Sequence, residues 1–145
     1  MTNQGPDYDL WLSFRNTHEA IHKVRKVELR PYKLSTIESS VLVTVYKANN
    51  SATPSEISRE LLKDAHSISQ LLGRMEKRGL LNRIKGIPRK NMVKVSLTNK
   101  GLKAYEQSTA GERIGIIMSI LNEEEKKEFR KYLDKLRDRA SEILH

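Results

Sequence analysis

The sequence predicts a mainly α fold with one small β-hairpin, on three observations. Helix-start signatures recur at sensible spacings, apolar residues between them fall three and four apart, and one pair of strand-like segments flanks a turn-rich loop. The chain has 145 residues, 31% of them charged and 6% aromatic. That length allows one core burying roughly two-thirds of the unfolded surface, and the charge suits a well-solvated helical protein rather than a disordered one. One compact domain is expected.

A first helix is expected over about 7–28, with Leu10, Trp11, Phe14, Ile21 and Val24 on one stripe. Ser35-Thr36-Ile37-Glu38 reads as a capping box opening a second helix, about 35–48, whose apolar residues are Ile37, Val41, Leu42 and Val45. Thr53-Pro54-Ser55-Glu56 opens a third, about 54–62, with Ile57, Leu61 and Leu62. Pro54 takes the first helical position, where a missing N–H leaves nothing unsatisfied. Asp64 caps a fourth helix, about 65–78, with Ile68, Leu71, Leu72 and Met75 inward and Gly79 just past its end.

Leu80–Lys85 and Met92–Leu97 read as strands, the second turning Val93, Val95 and Leu97 inward against Lys94 and Ser96. Gly86-Ile87-Pro88-Arg89-Lys90-Asn91 between them is a basic hairpin loop. Thr98 caps a fifth helix of about 99–120. Gly111 and Gly115 lie inside it, each costing roughly 1 kcal/mol relative to Ala and marking either a kink or a close crossing. Asn122-Glu123-Glu124-Glu125 opens a sixth helix, about 123–144, its acids at the positive end of the helix dipole. Phe129, Tyr132, Leu133, Leu136, Ala140, Ile143 and Leu144 recur along it at near-heptad spacing.

Charge is distributed unevenly. The net charge is +9, and residues 30–100 hold 14 Lys and Arg against 5 Asp and Glu, so the flanks cancel. Between Lys77 and Lys103 lie nine basic residues and no acid. A solvated face mixes both signs, whereas a long one-sign stretch suits a polyanion, most commonly nucleic acid.

Helix, short helix, helix, strand, basic loop, strand is the order of a winged helix-turn-helix. Its fourth helix would enter a major groove about 12 Å wide, so its outward residues should be polar and mostly small. Ala65, His66, Ser67, Ser69 and Gln70 satisfy this, followed by Arg74, Lys77 and Arg78. The predicted divisions are a dimerisation helix at 1–33, a DNA-reading lobe at 34–101 and C-terminal dimerisation helices at 102–145.

From Leu34 to Gly101 the chain resembles the multiple-antibiotic-resistance regulator (MarR) family. The resemblance is carried by residues 55–84, by Glu76-Lys77-Arg78-Gly79-Leu80, and by Leu97-Thr98-Asn99-Lys100-Gly101 closing the second strand. It extends to the flanking helices by position and length. It implies a homodimeric, ligand-responsive regulator, most simply a repressor, binding an inverted repeat in double-stranded DNA. Base reading would fall to Ser67, Ser69 and Gln70 with His66 beside them, and phosphate contacts to Arg74 and Ser55. Where the family carries Asp-x-Arg in the wing, this chain has Arg89-Lys90-Asn91. Either Arg89 or Lys90 would then enter the minor groove. The resemblance also implies a small-molecule effector pocket between dimer helices and DNA-reading lobe, for which Trp11, Phe14, His18 and Tyr46 are candidates; aromatics at helical spacing are more often core.

Competing signals are few. His18-Glu19-Ala20-Ile21-His22 matches H-E-x-x-H, the pattern of zinc peptidases with Glu as general base. A chance match accounts for it better than a peptidase, since no following glycine or third histidine accompanies it. A regulatory metal held by His18 and His22 is the stronger of the metal readings, and no metal site is assigned. A winged domain that binds protein is disfavoured by the acid-free wing. No phosphate loop, nucleophile elbow or paired-carboxylate site is present, so no catalytic residue, enzyme activity or cofactor is expected. Absence of cysteine excludes disulfides, thiolate metal sites and cysteine-based peroxide sensing. The lack of a signal-like N-terminus or a roughly 20-residue apolar run leads to the expectation of a cytoplasmic protein without membrane contact.

Overall fold

The structure, a computed structural model, describes residues 5–86, 89 and 92–144. α1 (Pro6–Leu29) starts on Pro6 without a side-chain cap and ends in a short 3-10 turn, Arg30–Tyr32. Ser35 heads α2 (Thr36–Lys47) with both halves of a capping box: its Oγ accepts the Glu38 amide at 3.1 Å, and its own amide donates to Glu38 Oε1 at 2.8 Å. Thr53 caps α3 (Pro54–Leu61) and Asp64 caps α4 (Ala65–Lys77). The strands β1 (Leu81–Lys85) and β2 (Val93–Leu97) follow. Thr98 then caps α5 (Asn99–Thr109), α6 is Glu112–Met118, and Asn122 caps α7 (Glu123–Leu144). Each cap satisfies an amide that the first helical turn leaves without a partner.

The hairpin is antiparallel, in register from Leu81 opposite Leu97 to Lys85 opposite Val93. Ala52, in the α2–α3 link, adds an isolated bridge to Val95, its amide donating at 3.1 Å and its carbonyl accepting at 2.7 Å. Asn50 reinforces the join by accepting the Leu97 amide at 2.6 Å. Linker and wing are therefore one hydrogen-bonded piece. The core beneath them includes Leu29, Val41, Leu42, Ile57, Ile68, Leu72, Met75, Leu81 and Val95, all buried. Burying each such side chain contributes roughly 1.5–3 kcal/mol.

Two expectations need correction. Leu62, expected inside the third helix, lies just past it, exposed in a left-handed conformation (φ 53°) that ends α3 and starts the tight turn into α4. Residues 99–120 are not one helix, because α5 stops at Thr109. At Gly111 a Cβ would lie 2.4 Å from the Glu28 carboxyl carbon, so a close approach of α1 occupies the space a side chain needs. Gly115 has nothing within 4 Å of a built Cβ, so it marks no crossing.

Glu28 belongs to a polar knot. Arg25 pairs with it and also donates to the Ser108 carbonyl at 2.7 Å and to Ser39 Oγ at 2.8 Å. Ser39 and Ser108 are buried, so the guanidinium ties α1, α2 and α5 through groups that would be costly unpaired.

The chain divides into two compact units, Met1–Gly111 and Glu112–His145. The first holds the winged module and α1; the second holds α6 and α7. Among the described residues no helix is long and apolar enough to cross a membrane.

Candidate nucleic-acid interface

The face of α4 is built by alternation of burial. Ile68, Leu71, Leu72 and Met75 are buried against the core, which turns His66, Ser67, Ser69, Gln70 and Arg74 outward, all exposed. At its head Asp64 accepts the Ser67 amide at 2.8 Å, and Ser67 Oγ donates to the other carboxyl oxygen, also at 2.8 Å. These two bonds hold the Asp64 carboxyl below its ordinary range. The Ser67 proton is thereby engaged within the chain, leaving its lone pairs to face outward. Ser55 lies in the first turn of α3 and is exposed.

Position is held at the far end of α4. Arg78, expected to face outward, instead turns into the protein. It donates to Glu38 Oε2 at 2.7 Å and to the Lys33 carbonyl at 2.6 Å, linking the end of α4 to the head of α2. Burial raises the Glu38 carboxyl, but the Ser35 amide and the Arg78 guanidinium outweigh it, and the net shift is downward. Lys100 Nζ donates to the Arg78 carbonyl at 2.8 Å and Thr98 Oγ1 to the Gly79 carbonyl at 2.5 Å. Gly79, at φ 77°, makes the turn between α4 and β1.

The wing is steadied at its base. Arg83 gives Glu76 three bonds: its amide to Oε2 at 3.1 Å, and Nε and Nη2 to Oε1 at 3.3 and 3.1 Å. The Arg83 amide, then its guanidinium, keep the Glu76 carboxyl below the ordinary range. The sequence offered one clue, a lone acid near the end of α4 seven residues before an arginine of β1. At the loop, Gly86 (φ 87°) donates to the Met92 carbonyl at 2.8 Å, and Met92 donates to the Arg89 carbonyl at 3.0 Å. Arg89 is exposed; Lys90 lies outside the described residues.

The four pocket candidates fall on two helices. Trp11, Phe14 and His18 are exposed on α1. Tyr46 of α2 stacks on Tyr105 of α5 with ring centroids 4.0 Å apart. His18 stacks on His22 at 5.8 Å.

Residues 32–86 match the model of the MarR family. No curated protein matches the chain significantly. Among solved structures the chain is similar to an organohalide-sensing transcriptional regulator in its ligand-free form, at 26% identity and TM-score 0.83, covering 97% of this chain and 84% of that one. The 2,4-dichlorophenol-bound form of that regulator gives 27% identity and TM-score 0.81 over 94% and 82%. A DNA complex of Staphylococcus aureus MepR gives 21% identity and TM-score 0.78 over 96% and 99%, a likeness of fold.

Proposed function

We propose that this chain, MarR-family in its DNA-reading segment and in its fold, is a ligand-responsive repressor that binds an inverted repeat in duplex DNA as a homodimer. The observation that carries this reading is the α4 face. His66, Ser69, Gln70 and Arg74 stand exposed on a helix whose opposite side is fully buried, beside a wing whose strands and loop contain no acid. Gln70 suits a bidentate contact to adenine, and Ser69 with His66 supplies further hydrogen bonding to base edges. Ser55, Arg74 and Arg89 take phosphate or minor-groove positions, and Lys90 is the alternative to Arg89 in the minor groove.

Residues 34–101 form the reading lobe in this scheme, and the segments on either side supply the dimer. Two lobes about a two-fold axis read half-sites roughly 34–36 Å apart. The effector reading is supported by the relative seen with 2,4-dichlorophenol at 27% identity, which favours a small phenolic compound near Trp11, Phe14, His18 and Tyr46.

The test is duplex binding across a salt series. Affinity should fall steeply, with a log–log slope of about −0.9 for each phosphate neutralised. A slope near zero rejects the nucleic-acid reading, and equal affinity for every duplex rejects its sequence specificity.

A further inference from the structure

We propose that His18 and His22 form a two-imidazole site on α1 for a late first-row divalent cation, Cu²⁺ most tightly. One turn apart on one helix, they have ring centroids 5.8 Å apart and an interplanar angle of 29°. Two imidazoles in neighbouring positions of a tetragonal Cu²⁺ ion, with metal–nitrogen bonds of about 2.0 Å, place their centroids about 4.5 Å apart, and around tetrahedral Zn²⁺ about 5 Å. Closing that difference calls for rotation about the two side-chain torsions of each histidine, which can leave the backbone in place.

The surroundings suit the ion. His18 is exposed and His22 partly so, leaving the outer coordination positions to water. The guanidiniums nearest the pair on this helix are directed elsewhere. Arg15 donates to Asn16 Oδ1 at 3.2 Å, and Arg25 is committed to Glu28, Ser39 and the Ser108 carbonyl. Among the described residues no group of three or more His, Asp or Glu side chains gathers to hold a metal. The site is thus one that binds through two neutral nitrogens. It lacks the third protein ligand of a hydrolytic zinc centre. Imidazole suits copper, nickel and zinc, and the general affinity order places Cu²⁺ first.

The chain carries its own reporter. Trp11 is the sole tryptophan and lies on the same stripe of α1, seven residues before His18. At 1.5 Å per residue that is about 10 Å along the axis, close enough for bound paramagnetic Cu²⁺ to quench its emission. Titrating the full chain with Cu²⁺ should give a saturable fall at micromolar ion and one ion per chain, reversed by EDTA. His18→Gln and His22→Gln should each weaken binding at least tenfold with helicity retained by circular dichroism. Because His18 is exposed, its substitution keeps the test intact even if the partly buried His22 does not tolerate change. Quenching that never saturates, or a native titration curve in both variants, overturns the site. The titration uses no DNA, so its outcome is independent of the regulator reading.

Discussion

Gln70 is the residue from which the interface is best tested, because its side chain is exposed while the backbone beneath it is held by buried Leu71 and Leu72. Gln70→Ala should leave the fold intact and cost about 1–3 kcal/mol on the preferred operator, with little change on random duplex. Competition binding against both DNAs measures the ratio; an unchanged ratio places the reading face elsewhere. Ser67 differs from its neighbour Ser69. Its hydroxyl already serves Asp64, so Ser67→Ala removes cap support as well as a surface group. The Glu38–Arg78 pair supports the same helix from behind. Because the folded Glu38 carboxyl titrates below its ordinary range, its contribution is full above the unfolded value and is lost as pH falls through the folded one. Glu38→Gln should therefore destabilise the chain by about 1 kcal/mol near neutrality, a figure discounted for solvent screening. The difference from the parent should shrink below about pH 5. Urea unfolding at several pH values measures this, and a penalty that grows towards acid would contradict it.

Elements were legible in the sequence where the forces that make them are local. A cap and its amide lie three residues apart and an apolar stripe repeats within a turn, so the heads of α2, α3, α4, α5 and α7 could be read directly. What could not be read depends on partners far along the chain. The lack of a side chain at Gly111 answers to Glu28, Arg78 is drawn inward by Glu38 and Lys33, and Ala52 joins Val95. No residue spacing signals any of these contacts. The glycines show the same division. At Gly101 a Cβ would lie 1.9 Å from the Leu80 carbonyl oxygen, which is backbone and cannot swing aside. Gly101→Ala should cost at least about 1–3 kcal/mol as an overpacking change. Gly115→Ala, in open space within α6, should instead stabilise the chain by about 0.5–1 kcal/mol. Thermal unfolding of the two variants gives the signs, and two shifts of the same sign would refute the assignment.

At the scale of the whole molecule, charge and apolar surface are separated along the sequence. The central segment carries the entire net charge of +9, so in the proposed homodimer like-charge repulsion would favour association through the segments that carry none. Those segments hold apolar groups that the single chain leaves exposed. On α1 these are Leu10 at 71%, Trp11 at 52% and Phe14 at 46% of full exposure. On α7 no residue is buried, and Phe129, Tyr132, Leu136 and Ile143 share a stripe left open to solvent. In the proposed homodimer these exposed apolar groups are the surface that a second copy would cover. An obligate homodimer of this kind typically buries more than about 2,000 Å². Phe129→Glu with Leu136→Glu places charge on that stripe without touching a buried residue, so the single chain should keep its helicity. Sedimentation should show the native chain as a dimer at micromolar concentration and the double variant as a monomer. Affinity for an inverted repeat should fall together with dimerisation, while affinity for a single half-site should be largely retained. A native chain that sediments as a monomer, or a double variant that remains dimeric, would remove α7 from the interface.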